Sequence, residues 1–595
     1  ARQRSRIMTT LRQRLFRTKN IPHGDLTTNL RRCLNTFDIT MLGVGHMIGA
    51  GIYVLTGAVI RNTAGPSIVL SFLLSGIAAL FSALCYAEFG ARFPKAGSAY
   101  TYAYVGCGEL WAFIIGWNIV LEHILGSAAV ARSWSGYFDS LLDHRISNFT
   151  RDTFGEIGET GSLIGTYPDL VAVVVIIIAS GFIIHGSKTA TSFNSLFTVM
   201  NLCVIIFVVG YGSTFADFAN WKGLALDGVH SRFMPHGFGG MLSGAATCLF
   251  AYIGFDGLAT AGEEAKEPSK SIPHATYFSM AIVSAAYMLM SGVLSLMVPY
   301  EQVHPTAAFS DAFALHGSEW AKYLVAAGAI CGMTTSLVGG LFSLPRCVYA
   351  MADDGLIFRW WAVVNEKTKT PINAVVTFTL LTAIVALFLD LDALVDFLAI
   401  GTLLAYSIVA ACVIILRYQP VPISPSEPHI LDNGGRLRVR IPGLSSALDS
   451  IEPFYRILYT LVIMLAAMTG FGVLLSSDFH STPIGAILFV ICIIGMVVSV
   501  VFIGLHHQNG QSLSFKVFWV PYLPAASLLI NILMMTHLGV MTWIRLAVWM
   551  TIGLAIYLLY GVRHSKEEMS NAERLTKAST FNSVVVASSL SDMKV

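Results

Sequence analysis

Long apolar runs separated by short polar connections make up most of the chain between residues 37 and 561. Each run is about 20 residues long, the length that an α-helix needs to cross the hydrocarbon core of a bilayer. We therefore expect an all-α polytopic membrane protein. About fourteen spans are predicted, with approximate centres at residues 49, 77, 115, 177, 202, 250, 286, 336, 381, 404, 465, 493, 526 and 551.

Polar stretches divide the chain into five segments. The predicted segments are a basic cytoplasmic tail (1–36), a core of spans 1–10 (37–417), a Pro- and Gly-rich cytoplasmic linker (418–450), spans 11–14 (451–562) and a Ser-rich cytoplasmic tail that we expect to be disordered (563–595). The basic N-terminal segment and the even number of spans place both termini in the cytoplasm.

The connection at residues 143–167 then lies on the outer side. It contains the sequence Asn148-Phe149-Thr150, which predicts glycosylation at Asn148 and agrees with that orientation.

The first apolar run contains a glycine-rich stretch over residues 43–53, Gly-Val-Gly-His-Met-Ile-Gly-Ala-Gly-Ile-Tyr. A glycine inside a helix costs about 1 kcal/mol relative to alanine, so we expect the helix to break here. A membrane tolerates open backbone only where it faces protein or a water-filled cavity, and the amides of a half-helix attract an anionic group such as a carboxylate. The alternative is that the small residues only allow close helix packing.

The sixth apolar run contains a comparable interruption over residues 250–257, five spans after the first. Interrupted segments in corresponding positions of two halves indicate a transporter site at a repeat interface, with spans 1–5 and 6–10 as inverted repeats. An aspartate at the bilayer centre costs roughly 2.5–3.5 kcal/mol. We therefore expect Asp256 either to face a cavity or partner, or to cap the resumed half-helix.

Two glutamates in the third run are further candidates. Glu122 lies mid-membrane and either partners a cationic substrate or carries a proton; alternatively it makes a helix–helix hydrogen bond or pairs with Arg132. Glu109 lies near the predicted cytoplasmic end, where it either has a functional role or is an interfacial residue that pairs with Lys95 or Arg92.

Less specific candidates lie in the eighth and first runs. The hydroxyls of Thr334, Thr335 and Ser336 either contact a substrate or bond back to the preceding helical turn. His46, beside the first break, is expected to be a packing residue, with pH sensing as the alternative.

Composition excludes several classes of protein. Only 12% of the 595 residues are charged and 55% are hydrophobic, whereas soluble domains carry about 25% charged residues. Almost all of the nine cysteines fall in or beside apolar runs, which favours free thiols over a disulfide framework. There is no metal-spaced His/Cys cluster, phosphate-binding loop or nucleophile motif, so we predict no enzyme activity, no cofactor, no metal, no nucleic-acid partner and no ATP hydrolysis.

Several motifs together resemble the cationic amino acid transporter branch of the amino acid–polyamine–organocation superfamily. The glycine-rich stretch resembles that superfamily's carboxylate-binding motif. The other motifs are Cys85-Tyr86-Ala87-Glu88-Phe89-Gly90-Ala91-Arg92-Phe93-Pro94, Gly97-Ser98-Ala99-Tyr100, Gly108-Glu109-Leu110-Trp111-Ala112-Phe113, Phe250 to Asp256, Glu263-Glu264-Ala265, Leu344-Pro345-Arg346, Tyr349-Ala350-Met351-Ala352, and Ile400-Gly401-Thr402-Leu403-Leu404-Ala405-Tyr406.

The resemblance implies a leucine-transporter-like fold of five plus five inverted-repeat helices with four added C-terminal helices. It also implies roles for named residues. The substrate carboxylate would meet the amides of Ile48, Gly49, Ala50 and Gly51, and the amino group would meet carbonyls near Ile48 and at Phe250, Tyr252 and Ile253. The side-chain end of the pocket would be lined by Asn118, Glu122, Thr335 and Ser336. The acids needed for transport would be Glu109, Glu122 and Asp256.

Some positions depart from the best-known members. Those carriers have a serine where this chain has Glu122, and the segment Glu122-His123 is more similar to the family's fourth-type branch. Asn201 stands about where proton-coupled relatives carry a lysine, which argues against proton coupling at that position. Residues 143–167 lack the cysteine that tethers heterodimeric relatives, so no disulfide-linked heavy chain is expected.

These observations favour a secondary transporter of amino acids, with cationic ones (arginine, lysine, ornithine) as the expected substrates and alternating access as the expected mechanism. An inside-negative potential would accumulate a cation by about 2.3 kcal/mol per 100 mV. The alternatives are a nutrient sensor or scaffold that binds amino acids with little flux, and a carrier of neutral amino acids. We expect the plasma membrane as location, with the endolysosomal membrane as the alternative.

Overall fold

The computed structural model is built almost entirely of helices. It describes residues 15, 17–19, 28, 30–49, 51–142, 145–156, 163–223, 231–303, 308–424, 427–438, 452–477, 482–511 and 513–567. Much of the two predicted tails and of the linker, and the predicted site residue Ala50, lie outside these ranges.

The first five spans are formed by eight α-helices and the turns that join them. They are α1 (Thr36–Met47), α2 (Thr56–Val59), α3 (Ile68–Arg92), α4 (Ala99–Gly106), α5 (Glu109–Leu141), α6 (Arg145–Phe154), α7 (Leu170–Ile184) and α8 (Ser187–Gly212). Two π-helical turns, Gly51–Leu55 and Ile60–Ala64, flank α2 and continue the first span.

The next five spans repeat this order of long and broken helices. They are formed by α9 (Gly237–Leu249), α10 (Asp256–Thr260), α11 (Pro268–Met297), α12 (Ala308–Leu315), α13 (Glu319–Asp353), α14 (Ile372–Phe388) and α15 (Leu391–Tyr418).

A short antiparallel hairpin and five more helices complete the described chain. The hairpin consists of β1 (Pro422–Ser424) and β2 (Glu427–Leu431), and the helices are α16 (Pro453–Ser476), α17 (Pro483–Gly504), α18 (Tyr522–Thr536), α19 (Val540–Ile556) and α20 (Val562–His564).

All fourteen predicted spans are present as apolar helical segments. In the described residues, ten helical runs are long and apolar enough to cross a membrane. The first of these, Thr36–Arg92, holds two spans, and α7, α14 and α18 are shorter apolar helices that supply the rest. The prediction of an all-α, multi-pass membrane protein is confirmed.

Corresponding helices of the two halves pack against each other. The long helices α5 and α13 have the most extensive contact in the molecule, α3 packs on α11, and α7 packs on α14. Small polar residues bring backbones close at other crossings: the hydroxyls of Ser71 and Ser75 on α3 donate to the carbonyls of Met241 and Ala245 on α9. Small residues at helix interfaces are typical of membrane bundles.

A buried ion pair joins the core to the last four spans. Arg417, at the end of α15, donates from Nε and Nη2 to the two carboxylate oxygens of Glu88 on α3, at 2.8 and 2.9 Å. The amide of Val517, just before α18, donates to the same carboxylate at 2.7 Å. A bidentate pair with a third donor satisfies the charge that burial would otherwise leave unsolvated.

A second buried pair lies within the core itself. Arg346 on α13 donates from Nε to Glu264 at 2.7 Å, and both side chains are almost fully buried. The same guanidinium lies over the Phe342 ring and donates to the hydroxyl of Ser187 on α8. This arginine therefore ties the second half of the molecule to the first.

The predicted outer connection contains an unexpected helix. Asn148 lies on α6 and is exposed, while the Thr150 hydroxyl donates to the carbonyl of Ile146. Glycosylation at Asn148 stays a prediction, on a surface helix and not on an irregular loop.

We predict that Arg417→Met strongly destabilises the protein. It leaves the Glu88 carboxylate buried without its cation, which costs about 3–5 kcal/mol, so the unfolding temperature in lipid nanodiscs should fall clearly. Lys270→Met, which removes one partner of the exposed Lys270–Glu267 pair, is the control and should change little. The double variant Arg417→Met/Glu88→Met should recover much of the loss. An Arg417→Met protein as stable as the wild type would contradict this assignment.

Candidate functional site

The first predicted helix break is present. Helix α1 ends at Met47, and Ile48 leaves the helical region with φ −79° and ψ 89° before the chain resumes as the turn Gly51–Leu55. A Cβ atom on Gly49 would lie 2.6 Å from Ser336 Cβ, and one on Gly51 would lie 2.7 Å from Ala251 Cα. Both glycines are therefore required for the close approach of neighbouring segments.

The second break faces the first. Helix α9 ends at Leu249, a single turn follows, and Ile253 is extended with φ −60° and ψ 135°. Gly254 then has φ +122°, a conformation that residues with a Cβ rarely adopt, and α10 begins at Asp256. The contact between Gly51 and Ala251 joins the two breaks directly.

Side chains from other helices hold the freed carbonyl groups. The Tyr287 hydroxyl on α11 lies 2.7 Å from the carbonyl oxygen of Met47 and 2.8 Å from that of Ala251, so it joins both breaks. The Ser336 hydroxyl on α13 donates to the carbonyl of His46 at 2.5 Å. Such partners are required because open backbone groups inside a bilayer are costly.

A cavity lies between the two breaks, α5 and α13. The cavity has a volume of about 90 Å³. One end is formed by the broken segments and the other by polar side chains of α5. Its described lining residues are His46, Met47, Gly51, Glu122, His123, Gly126, Ser127, Ala129, Val130, Ser133, Phe250, Ala251, Ile253, Gly254, Asp256, Ser336, Gly340 and Leu398.

Two carboxyl groups and two imidazoles converge at the polar end of the cavity. One ligand atom each from Glu122, His123 and Asp256 lies within 4.8 Å of the others, and His123 Nε2 is 3.9 Å from Asp256 Oδ2. The His46 ring packs edge-on against His123, with 6.3 Å between centroids. The spacing of these residues along the chain gives no sign of this group. Carboxylate and imidazole donors at such distances suit a cation, whether an organic ammonium or a metal ion.

Several polar atoms of this cluster are buried without a hydrogen-bond partner. They are Nδ1 of His46, Nε2 of His123 and Oδ1 of Asp256. Backbone amides of Asp256 and Gly257 lie against the Asp256 carboxylate. No side-chain hydrogen bond caps α10, whose first residue is Asp256. Of the two alternatives for Asp256, the structure therefore supports the one in which the carboxylate faces the cavity, with Oδ1 free of a hydrogen-bond partner.

Glu122 and Asp256 have no lysine or arginine partner among the described residues, and the basic side chain beside Asp256 is the imidazole of His123. In the part of the chain that the structure describes, Glu88, Glu264 and Glu109 each pair with an arginine. The cavity lining contains no lysine or arginine among its described residues, and Arg132 donates instead to the carbonyls of Ala386 and Leu389. The expected alternative of a Glu122–Arg132 pair is therefore wrong.

The structure brings about half of the predicted site residues to the cavity. Gly51, Glu122, Phe250, Ile253, Asp256 and Ser336 line it. Ile48 and Gly49 belong to the break beside it, where Gly49 packs on Ser336.

Three other predicted residues point elsewhere. The Tyr252 hydroxyl donates to the carbonyl of Phe72 on α3, at 2.9 Å. Asn118 Nδ2 donates to the carbonyl of Ile114 one turn earlier on α5. The Thr335 hydroxyl bonds back to the carbonyl of Gly332, the alternative considered for this hydroxyl group. None of the three is among the residues that line the cavity.

Asn201 supports the first break from outside the cavity. Its Oδ1 accepts a hydrogen bond of 2.6 Å from the Tyr53 hydroxyl. A Cβ on Gly332 would lie 2.6 Å from Asn201 Nδ2, so α8 and α13 lie very close here. The group beside the break at this position is therefore the hydrogen-bonded amide of Asn201 and not a titratable amine.

Glu109 lies in a separate polar network at one end of the molecule, which we call the tail face. The network comprises Arg17, Lys19, Tyr100, Tyr104, Glu109, Asp354, Tyr557 and Ser565. Arg17 donates from Nε and Nη2 to the Glu109 carboxylate at 2.5 and 2.8 Å, so the expected partners Lys95 and Arg92 are wrong. The hydroxyls of Tyr104, Tyr557 and Ser565 donate to the same carboxylate.

Lys19 makes the second ion pair of the tail face. Its ammonium lies 2.5 Å from Asp354 Oδ1, and the Tyr100 hydroxyl donates to the other oxygen of that carboxylate at 2.8 Å. Burial lowers the pKa of Lys19, but the carboxylates of Asp354, Asp353 and Glu567 together raise this pKa above its usual value. The chain before α1 is thereby joined to the ends of α5 and α13 and to the segment that follows α19.

Comparison with known proteins agrees with this architecture. The amino acid permease family matches residues 34–431, and the family described as the C-terminus of AA_permease matches residues 515–565. The chain is 43% identical over 584 residues to a Homo sapiens protein named cationic amino acid transporter 4, covering 93% of this chain and 91% of the relative.

Other relatives match over a similar length. A Mus musculus protein of the same name is 41% identical, with 95% of this chain and 93% of the relative covered. An Arabidopsis thaliana protein named cationic amino acid transporter 4, vacuolar, is 33% identical, with 93% and 96% covered. These relatives are transporters and not enzymes, and the chain belongs to the amino acid permease family.

Proposed function

We propose that this protein is a secondary transporter of cationic amino acids that holds its substrate in the cavity between the two broken helices. Its membership of the amino acid permease family supports amino acid transport. The names of its relatives add the cationic class. The observation that carries the proposal is the pair of buried acids, Glu122 and Asp256, that face the cavity without a lysine or arginine partner.

The broken segments suit the part that all amino acids share. The first amides of a resumed half-helix have no intrahelical partner and carry partial positive charge, so the amides after Gly49 would bind the carboxylate. The carbonyls of the Phe250–Ile253 break would accept the amino group. The substrate then satisfies backbone groups that the breaks leave open.

The acids of α5 and α10 suit the substrate's side chain. A guanidinium or ammonium group that reaches Glu122 and Asp256 would gain charge-assisted hydrogen bonds in a place where water is largely excluded. A neutral side chain would leave both acids without a cationic partner, which costs binding free energy. Selection of cationic over neutral amino acids follows from this difference.

The plasma membrane remains our proposed location. Plant relatives are named vacuolar or mitochondrial, so a tagged protein should be located in cells before transport is assigned to one membrane. Labelling at the surface of intact cells supports the plasma membrane, and labelling confined to internal membranes contradicts it.

The direct test is uptake by the purified protein in proteoliposomes. Arginine, lysine, leucine and γ-aminobutyrate are compared at two pH values with an inside-negative potential. Saturable uptake of arginine and lysine alone supports the proposal. Uptake of leucine alone indicates a neutral carrier, and binding without saturable flux indicates a sensor.

We predict that Gly49→Val and Gly51→Val each reduce uptake to about a tenth or less. The added side chains would enter space occupied by Ser336 and by the Ala251 backbone, so the breaks could not keep their present geometry. Gly210→Val is the matched control, because a Cβ there meets no atom within 4 Å. Uptake and surface expression are measured together. Full uptake by a well-expressed Gly51→Val protein would contradict the site.

We predict that Glu122→Gln raises the KM for arginine about tenfold or more, because one charge-assisted contact is lost. The KM for any residual neutral substrate should stay constant or fall. Glu267→Gln, at an exposed acid outside the cavity, should leave both values unchanged. An unchanged arginine KM in Glu122→Gln would place the guanidinium elsewhere.

We predict a different kinetic effect for the tail face. Arg17→Ala and Glu109→Gln should lower the maximal flux by about fivefold or more with little change in KM, because neither residue lies at the cavity and both hold the tail face in the one arrangement seen here. Lys270→Ala, which breaks the exposed Lys270–Glu267 pair, is the control. A raised KM with unchanged maximal flux would instead assign Glu109 to substrate binding.

A further inference from the structure

Two cysteine side chains meet beside the tail face. Cys107 Sγ and Cys412 Sγ are 3.1 Å apart, although 305 residues separate them in the chain. Cys107 lies in the turn between α4 and α5, and Cys412 lies in the last third of α15. Both are free thiols.

Backbone geometry accounts for this approach. The amides of Cys107 and Gly108 both donate to the carbonyl of Ala103, at 2.8 and 3.0 Å, and Gly108 has φ +106°. A Cβ on the preceding Gly106 would lie 3.4 Å from both Cβ and Sγ of Cys412. The turn is therefore held against α15 by the main chain, and the two sulfurs do not meet through one flexible side chain alone.

The two thiols differ in access. Cys107 is partly exposed, whereas Cys412 is fully buried. A small oxidant thus reaches Cys107 first, and Cys412 is in position to resolve the product. This is the arrangement of an exposed reacting thiol with a resolving thiol beside it.

We propose that Cys107 and Cys412 are a redox-sensitive dithiol whose disulfide holds the tail face closed. The inference rests on the proposed transport function for its consequence, but formation of the disulfide is independent of that function. A bond between the turn and α15 joins two segments that are otherwise only packed, two residues before Glu109. Helix α15 also contributes Leu398 to the cavity, so the bond would restrain one end of a helix whose other end lines the cavity.

The oxidation balances with hydrogen peroxide as the oxidant. The Cys107 sulfur attacks one peroxide oxygen, the O–O bond breaks, and a sulfenic acid and one water form. The Cys412 sulfur then attacks the Cys107 sulfur, the S–O bond breaks, and a second water leaves. Two thiols lose two hydrogen atoms, and one peroxide is reduced to two waters. A dithiol such as dithiothreitol reverses the step by exchange.

The test follows the bond and the flux separately in proteoliposomes treated with hydrogen peroxide or dithiothreitol. Free thiols are alkylated, and peptide mass spectrometry searches for a peptide pair joined through Cys107 and Cys412. We expect the joined pair after peroxide and a fall in arginine uptake of about tenfold, restored by dithiothreitol. Cys107→Ser and Cys412→Ser, with Cys412→Ala as a second variant, should keep full uptake after peroxide.

Cys203→Ser is the matched control, because Cys203 is an exposed free cysteine on a membrane helix. This variant should respond to peroxide as the wild type does. Absence of the joined peptide pair, or an equal loss of uptake in Cys107→Ser, overturns the proposal. A joined pair with unchanged uptake overturns the closing effect. A joined pair in a protein that never transports supports the dithiol and contradicts the proposed function.

Discussion

The constraint behind this structure is that backbone groups inside a bilayer need partners. Two helices stop halfway, after Met47 and after Leu249, and each stop frees amides and carbonyls that water cannot reach freely. The protein satisfies some of them itself: Tyr287 serves a carbonyl on each break, and Ser336 serves the carbonyl of His46. The remaining groups surround the cavity. A small zwitterion supplies the missing donors and acceptors, so the breaks both require and create a binding site.

Charge follows the same logic as the backbone. Glu88 and Glu264 are buried with bidentate or multiply bonded arginines, and these pairs hold helices together. Glu122 and Asp256 are equally buried. The basic groups beside them in the cavity are the imidazoles of His46 and His123, each with one nitrogen that has no hydrogen-bond partner. An acid without a cation is costly to the folded protein, and a bound cationic group removes that cost. The distinction between structural and substrate-facing acids is thus visible in their partners and not in their burial.

The sequence predicts the spans and both breaks because those signals are local: about 20 apolar residues make a span, and clustered glycines interrupt one. It predicts side-chain direction less well. Asn118 is four residues from Glu122 and shares its face, yet it lies one turn away and bonds to its own helix. Thr335 and Ser336 are adjacent, and a rotation of about 100° sends only the second to the cavity. Tyr287 and Arg17 are not predictable, because each acts on residues far along the chain.

Glu109 shows how a site residue inferred from resemblance can acquire a different physical role. It begins α5, whereas Glu122 lies more than three turns further along the same helix and reaches the cavity. Its carboxylate joins Arg17, Tyr104, Tyr557 and Ser565, which come from three separate parts of the chain. A residue so connected cannot touch a substrate held at the breaks without first releasing these partners. If Glu109 is needed for transport, the requirement must therefore concern the opening and closing of the tail face and not recognition of the substrate.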